Sequence, residues 1–134
     1  MFDWRRPANL GAVDGHLAPP RRTPNCVSSQ ADPADAEHYI APLAFKGTVV
    51  EAMTAAKRAV ESMERSRIVS AERNYLYAEY RSKLLGYVDD LELLYDEQSG
   101  VFHVRSASRL GRKDFGVNRK RVEDLRTKLS GGAS

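Results

Sequence analysis

Between residues 67 and 108 the hydrophobic period is two, and on either side of that stretch it is three to four. A period of two belongs to strands with one buried face, and a period near 3.6 to amphipathic helices. "RIVSA" (67–71) and "YLYAEYRS" (75–82) predict strands joined by a turn at Glu72-Arg73-Asn74. "YVDDLELLY" (87–95) and "VFHVRSAS" (101–108) predict two more, with "DEQSG" as the hairpin loop. Ahead of them, Thr48 and Glu51 read as a capping box, in which hydroxyl and carboxylate each satisfy an orphan backbone donor. Val49, Met53, Ala56, Val60 and Met63 then form one stripe of a helix over 48–64, with Lys57, Arg58, Glu61 and Glu64 facing water. Val122, Leu125 and Leu129 stripe a closing helix that ends at Gly131-Gly132.

The order helix, four strands, helix predicts an α+β fold. It is an antiparallel four- to five-stranded sheet with two helices packed on one face and an irregular N-terminal wrap. "HYIAPLAF" (38–45), interrupted by Pro42, supplies the fifth, short edge strand. "LAPPRRTPNCVSSQADPADAE" (17–37) holds four prolines and many turn-forming residues, so it reads as the wrap. At 134 residues the chain is one domain. Residues 1–16 are expected to fray, 38–129 to form the α+β core, and 130–134 to be a flexible tail.

Composition excludes several classes. Apolar content is 42% and charged content 29%, the balance of a folded soluble protein. No run of 18 apolar residues is present, and "MFDWRRPANL" has no apolar stretch after its charges. The expectation is a cytoplasmic protein with no membrane segment and no secretory leader. Cys26 is alone, which rules out an internal disulfide and a four-cysteine metal site.

The net charge of +3 conceals a polarity. Residues 1–46 balance, residues 47–100 carry seven cations against ten anions, and residues 101–134 carry nine against three. An acidic middle and a basic end suggest segments that meet and neutralise each other. In the central hairpin, placing Leu93 opposite Phe102 and Leu91 opposite Val104 gathers the apolar residues on one face. The same register sets Asp90 opposite Arg105 and Glu92 opposite His103, so these are the expected structural pairs. Slipping by one would set Leu91 against Arg105, which is worse on both faces.

The remaining cations of 105–121 need another account. With Asn118 as N-cap, Arg119, Lys120 and Arg121 fall in the first helical turn, against the helix dipole. A compensating anion is expected, from Asp89, Asp114, other acidic residues of the middle segment or a bound ligand.

Three segments, "LAPPRRTPNCVSSQ" (17–30), "YLYAEYRSKLLGYVDDLEL" (75–93) and "VRSASRLGRKDFGVNRKRVEDLR" (104–126), resemble in order the domain-of-unknown-function family DUF1499. The resemblance covers about residues 10–129. It implies no known reaction, substrate or cofactor. It does mark motif positions: Asn25, Cys26, Ser28, Ser29, His38, Glu79, Asp89, Asp90, Arg105, Ser106, Ser108, Arg109, Asp114, Asn118 and Arg119. Pro20 departs from the "LAPCP" common in the family, so pairing or ligation by two N-terminal cysteines is not expected here.

Candidate chemistry is thin. Cys26 with His38 is a nucleophile and base on paper, with Asn25 as orienter, but a lone cysteine is more often a small buried apolar residue. Asp89 and Asp90, adjacent on a strand, point to opposite faces and cannot share one acid–base site. His16, His38 and His103 lack metal-ligand spacing, and "GRKDFG" has neither a Walker ending nor dinucleotide spacing. No metal or cofactor is therefore expected. Phe115 is the one aromatic of the basic segment, which supplies base stacking poorly and argues against nucleic acid. The sequence reads as a binding or assembly module. Asn25, Ser28, Ser29, Arg105, Arg109, Asn118 and Arg119 are expected to converge on a site for an anionic small molecule or a protein partner. An enzyme using Cys26 is the alternative.

Overall fold

A computed structural model describes residues 5–83, 86–109 and 116–132. Six antiparallel strands and two helices make the α+β fold expected from the periodicity. The elements are β1 (Cys26–Ser28), β2 (Leu43–Ala44), α1 (Val49–Glu61), β3 (Ser66–Glu72), β4 (Tyr75–Arg81), β5 (Val88–Asp96), β6 (Val101–Ser108) and α2 (Val117–Gly132). Sheet order is β1-β6-β5-β4-β3, and β2 also pairs with β6.

Helix α1 begins where its capping box requires. The Thr48 hydroxyl accepts from the Glu51 N–H at 3.1 Å, and the Glu51 carboxylate accepts from the Thr48 N–H at 2.9 Å. Its buried stripe of Ala52, Met53, Ala56, Ala59 and Val60 is small enough for close approach to the sheet. Val122, Leu125 and Leu129 of α2 enter the same core, together with Leu76, Leu91, Leu93, Tyr95, Phe102 and Val104. Both helices pack on this face of the sheet.

The wrap contains a strand that the proline-rich composition conceals. Cys26, Val27 and Ser28 pair with Ala107, Ser106 and Arg105, which raises the strand count to six. Three residues between turn-forming neighbours are too few to show a period.

The central hairpin departs from the expected register by two residues. Asp90 lies opposite Ala107 and Arg105 opposite Glu92, while His103 faces Leu94 and Tyr95 faces Phe102. A two-residue shift leaves every side chain on its expected face, so face-matching alone cannot detect it. Two features select the observed pairing. The Asp96 carboxylate accepts from the Gln98 and Ser99 N–H groups, and Gly100 adopts a φ of 67°, so the turn closes directly after Asp96. Tyr95 then stacks beside Phe102 with ring centroids 4.9 Å apart, and Phe45 meets both rings edge-on. The Tyr95 hydroxyl lies within reach of the Phe45 and Gly47 carbonyls, at 3.0 and 2.6 Å.

Helix α2 starts at Val117, so Asn118 is inside the first turn rather than capping it. Its side chain is completely buried and turns toward the sheet. Asp114, one of the candidate compensating anions, lies outside the described residues, as does most of the loop 111–116.

Two charged layers and a basic groove as the candidate functional site

The first polar layer lies between α2 and the sheet, at the edge of the apolar core. Asn118 Oδ1 accepts from the Ser106 hydroxyl and from Arg121, both at 2.7 Å. Its Nδ2 donates to the Asn25 carbonyl at 3.1 Å and to the Ser108 hydroxyl at 2.9 Å. Arg121 also donates to Asp89 at 2.8 Å and lies over the Tyr80 ring, 4.4 Å from its centroid. Asp89 is thus the compensating anion for one of the three first-turn cations. Lys120 pairs with Asp124 at 3.0 Å, and Arg119 donates to the Ala36 and Glu37 carbonyls.

A second layer covers the opposite, outer face of the sheet. Residues 75, 77 and 79 of β4 alternate away from the core and meet residues 94, 92 and 90 of β5. Arg109 grips Asp90 through two hydrogen bonds, and its Nη2 lies 2.6 Å from Glu79. The Tyr77 hydroxyl sits between Glu79 and Asp90, donates its single proton to one of them, and accepts from Arg109 at 3.2 Å. Burial, Asp90 and Glu79 together push the Tyr77 phenol well above its ordinary range. Burial disfavours the Glu79 charge, but Arg6, Tyr77 and Arg109 outweigh it and hold the carboxyl down at about 2. Next along the sheet, Glu92 Oε2 accepts from the Tyr75 hydroxyl at 2.6 Å and from the Gly11 N–H at 2.7 Å. Arg105 stands 3.9 Å from Glu92 Oε1 and touches the Pro19 carbonyl at 3.5 Å. Glu92 Oε1 and Arg105 Nε, both buried, make no hydrogen bond among the described residues.

The seven residues expected to converge are therefore divided. Asn25 and Asn118 join the inner layer, and Arg105 and Arg109 the outer one. Ser29 accepts from the Val104 N–H and lies 3.3 Å from His103 Nδ1, while Ser28 accepts from the Gln30 N–H. Arg109 and Arg119 stand on opposite faces of the sheet, which overturns their proposed common site. The reason is positional: Arg109 prolongs the outer-face alternation of β6, whereas Arg119 is carried by a helix on the core face.

Cys26 and His38 are not hydrogen-bonded to each other among the described residues. Cys26 is fully buried opposite Ala107. Both ring nitrogens of His38 meet acceptors, Nδ1 with Asp35 at 2.7 Å and Nε2 with the Thr23 carbonyl at 2.8 Å. Burial resists the charge, but these acceptors and Glu37 prevail and raise the imidazole pKa. With both ring nitrogens turned to these acceptors, neither is left to take a proton from the Cys26 thiol. No group of three potential metal ligands gathers among the described residues, and no described helix is long and apolar enough to cross a membrane.

These layers are built from the motif segments, and the comparison of the whole chain agrees with them. The profile "Protein of unknown function (DUF1499)" matches residues 16–129. The chain belongs to the DUF1499 family. No curated protein matches it. Within the family domain, Tyr77 was not among the expected site residues, and Arg121 was expected only as a helix-start cation in need of an anion. Pairing 75–81 with 88–94 would have found Tyr77 beside Asp90 and Glu79, because all three fall on one face.

A further cationic surface flanks α1. Lys46, Arg58 and Lys128 line a groove of about 660 Å³ along α1, together with Phe45, Val50 and Ala55. None of the three cations forms an ion pair among the described residues. The adjoining Glu51 is engaged in the capping box. Val50, at 75% exposure, stands open to solvent at the groove's rim.

Proposed function

We propose that this chain is a binding module that docks an acidic, apolar-faced segment of a partner protein in the groove along α1. The observation carrying this reading is that Lys46, Arg58 and Lys128 gather in one groove with no ion pair among the described residues. Within residues 101–134, the described cations other than Lys128 are held by a carboxylate or a carbonyl. Basic side chains around Phe45, Val50 and Ala55 suit a helix presenting Leu on one side and Glu on its flanks. The enzymatic alternative is less well supported, because Cys26 is buried and both ring nitrogens of His38 are engaged elsewhere.

The test is a titration of the isotope-labelled protein with a synthetic helical peptide carrying Leu at i, i+3, i+4 and i+7 and Glu elsewhere. Amide shifts should concentrate at Val50, Thr54, Ala55, Arg58 and Lys128, and should disappear in Arg58→Glu/Lys128→Glu. Shifts centred on residues 118–121, or no binding at all, would overturn the reading.

A further inference from the structure

The outer charged layer is incomplete without residues that precede the family domain. The sheet and its extension at Arg109 supply three buried carboxylates, Glu79, Asp90 and Glu92, but two arginines, Arg105 and Arg109. Arg109 is saturated by Asp90 and Glu79, and Arg105 stands against Glu92. One negative charge is left over. Its partner is Arg6, whose Nε donates to Glu79 Oε2 at 2.8 Å and whose guanidinium lies 5.7 Å from the centroid of the Tyr77 ring. Five residues later the Gly11 N–H serves Glu92 at 2.7 Å. Both donors lie before residue 16, where the family match begins.

The segment that carries them is lightly held. Residues 5–16 bury no side chain fully, and Val13 is 74% exposed. A segment with few buried contacts opens at low cost compared with the sheet beneath it. The sheet, by contrast, keeps its carboxylates buried and preorganised. Glu92 Oε1, in a residue with no exposed surface, retains an unused acceptor.

We propose that this face of the sheet is a binding site for an arginine-bearing peptide segment. Glu79 and the Tyr77 ring receive the guanidinium, and Glu92 with Tyr75 receives a backbone N–H. Residues 6–11 are its resident occupant in cis. A partner segment of the same chemistry binds by exchange for them, and its affinity is reduced by the fraction of time the site is occupied. This site is on the opposite side of the sheet from the α1 groove and does not depend on that reading.

The experiment uses the full-length protein and a fluorescent peptide corresponding to residues 5–16. Arg6→Ala should bind the peptide at least about fivefold more tightly than wild type, because the cis competitor has lost its charged anchor. Glu79→Gln in the Arg6→Ala background should abolish that gain, and so should a peptide carrying alanine in place of its Arg6. As a readout independent of peptide, ethylguanidinium should raise the melting temperature of Arg6→Ala and leave wild type unmoved. Equal binding to wild type, Arg6→Ala and Arg6→Ala/Glu79→Gln would overturn the proposal. So would failure of both peptide and ethylguanidinium to act on a folded Arg6→Ala protein. Charge reversal at Arg58 and Lys128 should leave all of these results unchanged.

Discussion

Arg109 holds Asp90 in a two-toothed grip, Nε to Oδ2 and Nη2 to Oδ1, each at 2.9 Å. Planar pairing of this kind fixes direction as well as charge. One residue earlier, Asp89 points through the other face of the sheet to Arg121. The acidic doublet is therefore not one site but two, and each half draws a different part of the basic segment onto the sheet. In this way the charge polarity of the chain becomes architecture: Arg109 and Arg121 close over carboxylates of β4 and β5 from opposite faces.

Breaking the Asp90–Arg109 pair on one side should be costly. Asp90 is 2% exposed and the Arg109 side chain 7%, so Asp90→Ala takes the two-point partner from a buried guanidinium and leaves it Glu79, which Arg6 also claims. The expected loss is about 3–5 kcal/mol, whereas replacing both residues with apolar ones of similar size should recover much of it. Urea unfolding of the two single variants and the double variant measures this. A single-variant cost below about 1 kcal/mol would show that the pair is solvated rather than buried.

The fully buried amide of Asn118 hydrogen-bonds Ser106, Ser108, Arg121 and the Asn25 carbonyl, and so joins α2, β6 and the wrap. Asn118→Ala leaves the Asn25 carbonyl and the Ser106 and Ser108 hydroxyls short of a partner. A loss of about 2–3 kcal/mol is expected. Amide exchange should quicken at residues 25–28 first, because that strand depends on this contact. Uniform quickening across the sheet would place the role of Asn118 elsewhere.

Acid should act through Glu79. Its folded pKa, about 2, lies below the ordinary 4.5, so the folded state favours the ionised form. The resulting stability is fully present above about pH 4.5 and is lost as the pH falls toward 2. Glu79→Gln should flatten the stability profile across that window, and Arg6→Ala should flatten it in part. A profile unchanged by Glu79→Gln would mean that another carboxylate governs acid unfolding.

How much of this was legible depended on whether the information was local. The α1 start was readable because a capping box is written within four residues, and the strands because alternation is local too. The hairpin register was missed by two residues because both pairings keep the same faces. The choice between them is made by the turn at Asp96–Gly100 together with Phe45, which lies far away in sequence. The charge polarity announced that the basic end would meet the acidic middle, and Arg105, Arg109 and Arg121 do so at Glu92, Asp90 with Glu79, and Asp89; Arg119 instead meets carbonyls. Which arginine meets which carboxylate depends on the sheet face or helix that carries it, and a linear spacing does not encode that. Arg109 and Arg119, ten residues apart, are separated by the sheet itself.

Cys26 and His38 permit a paired test. Cys26 is fully buried beside the wrap, so a thiol reagent should label it at the rate at which the wrap opens, not at the rate of a free thiol. Labelling should therefore accelerate in Asn118→Ala, which loosens the same strand. His38 has its pKa raised above the ordinary 6.5, because Asp35 and the Thr23 carbonyl favour its charged form over the opposing effect of burial. Its contribution to stability is fully present below about pH 6.5 and disappears as the pH rises through the folded pKa. In NMR titration Asp35→Asn should lower that pKa, with no change in Cys26 labelling at pH 7. If Asp35→Asn instead changes the labelling rate sharply while the fold is intact, thiol and imidazole communicate. The enzymatic reading of the pair would then regain the support that the geometry now denies it.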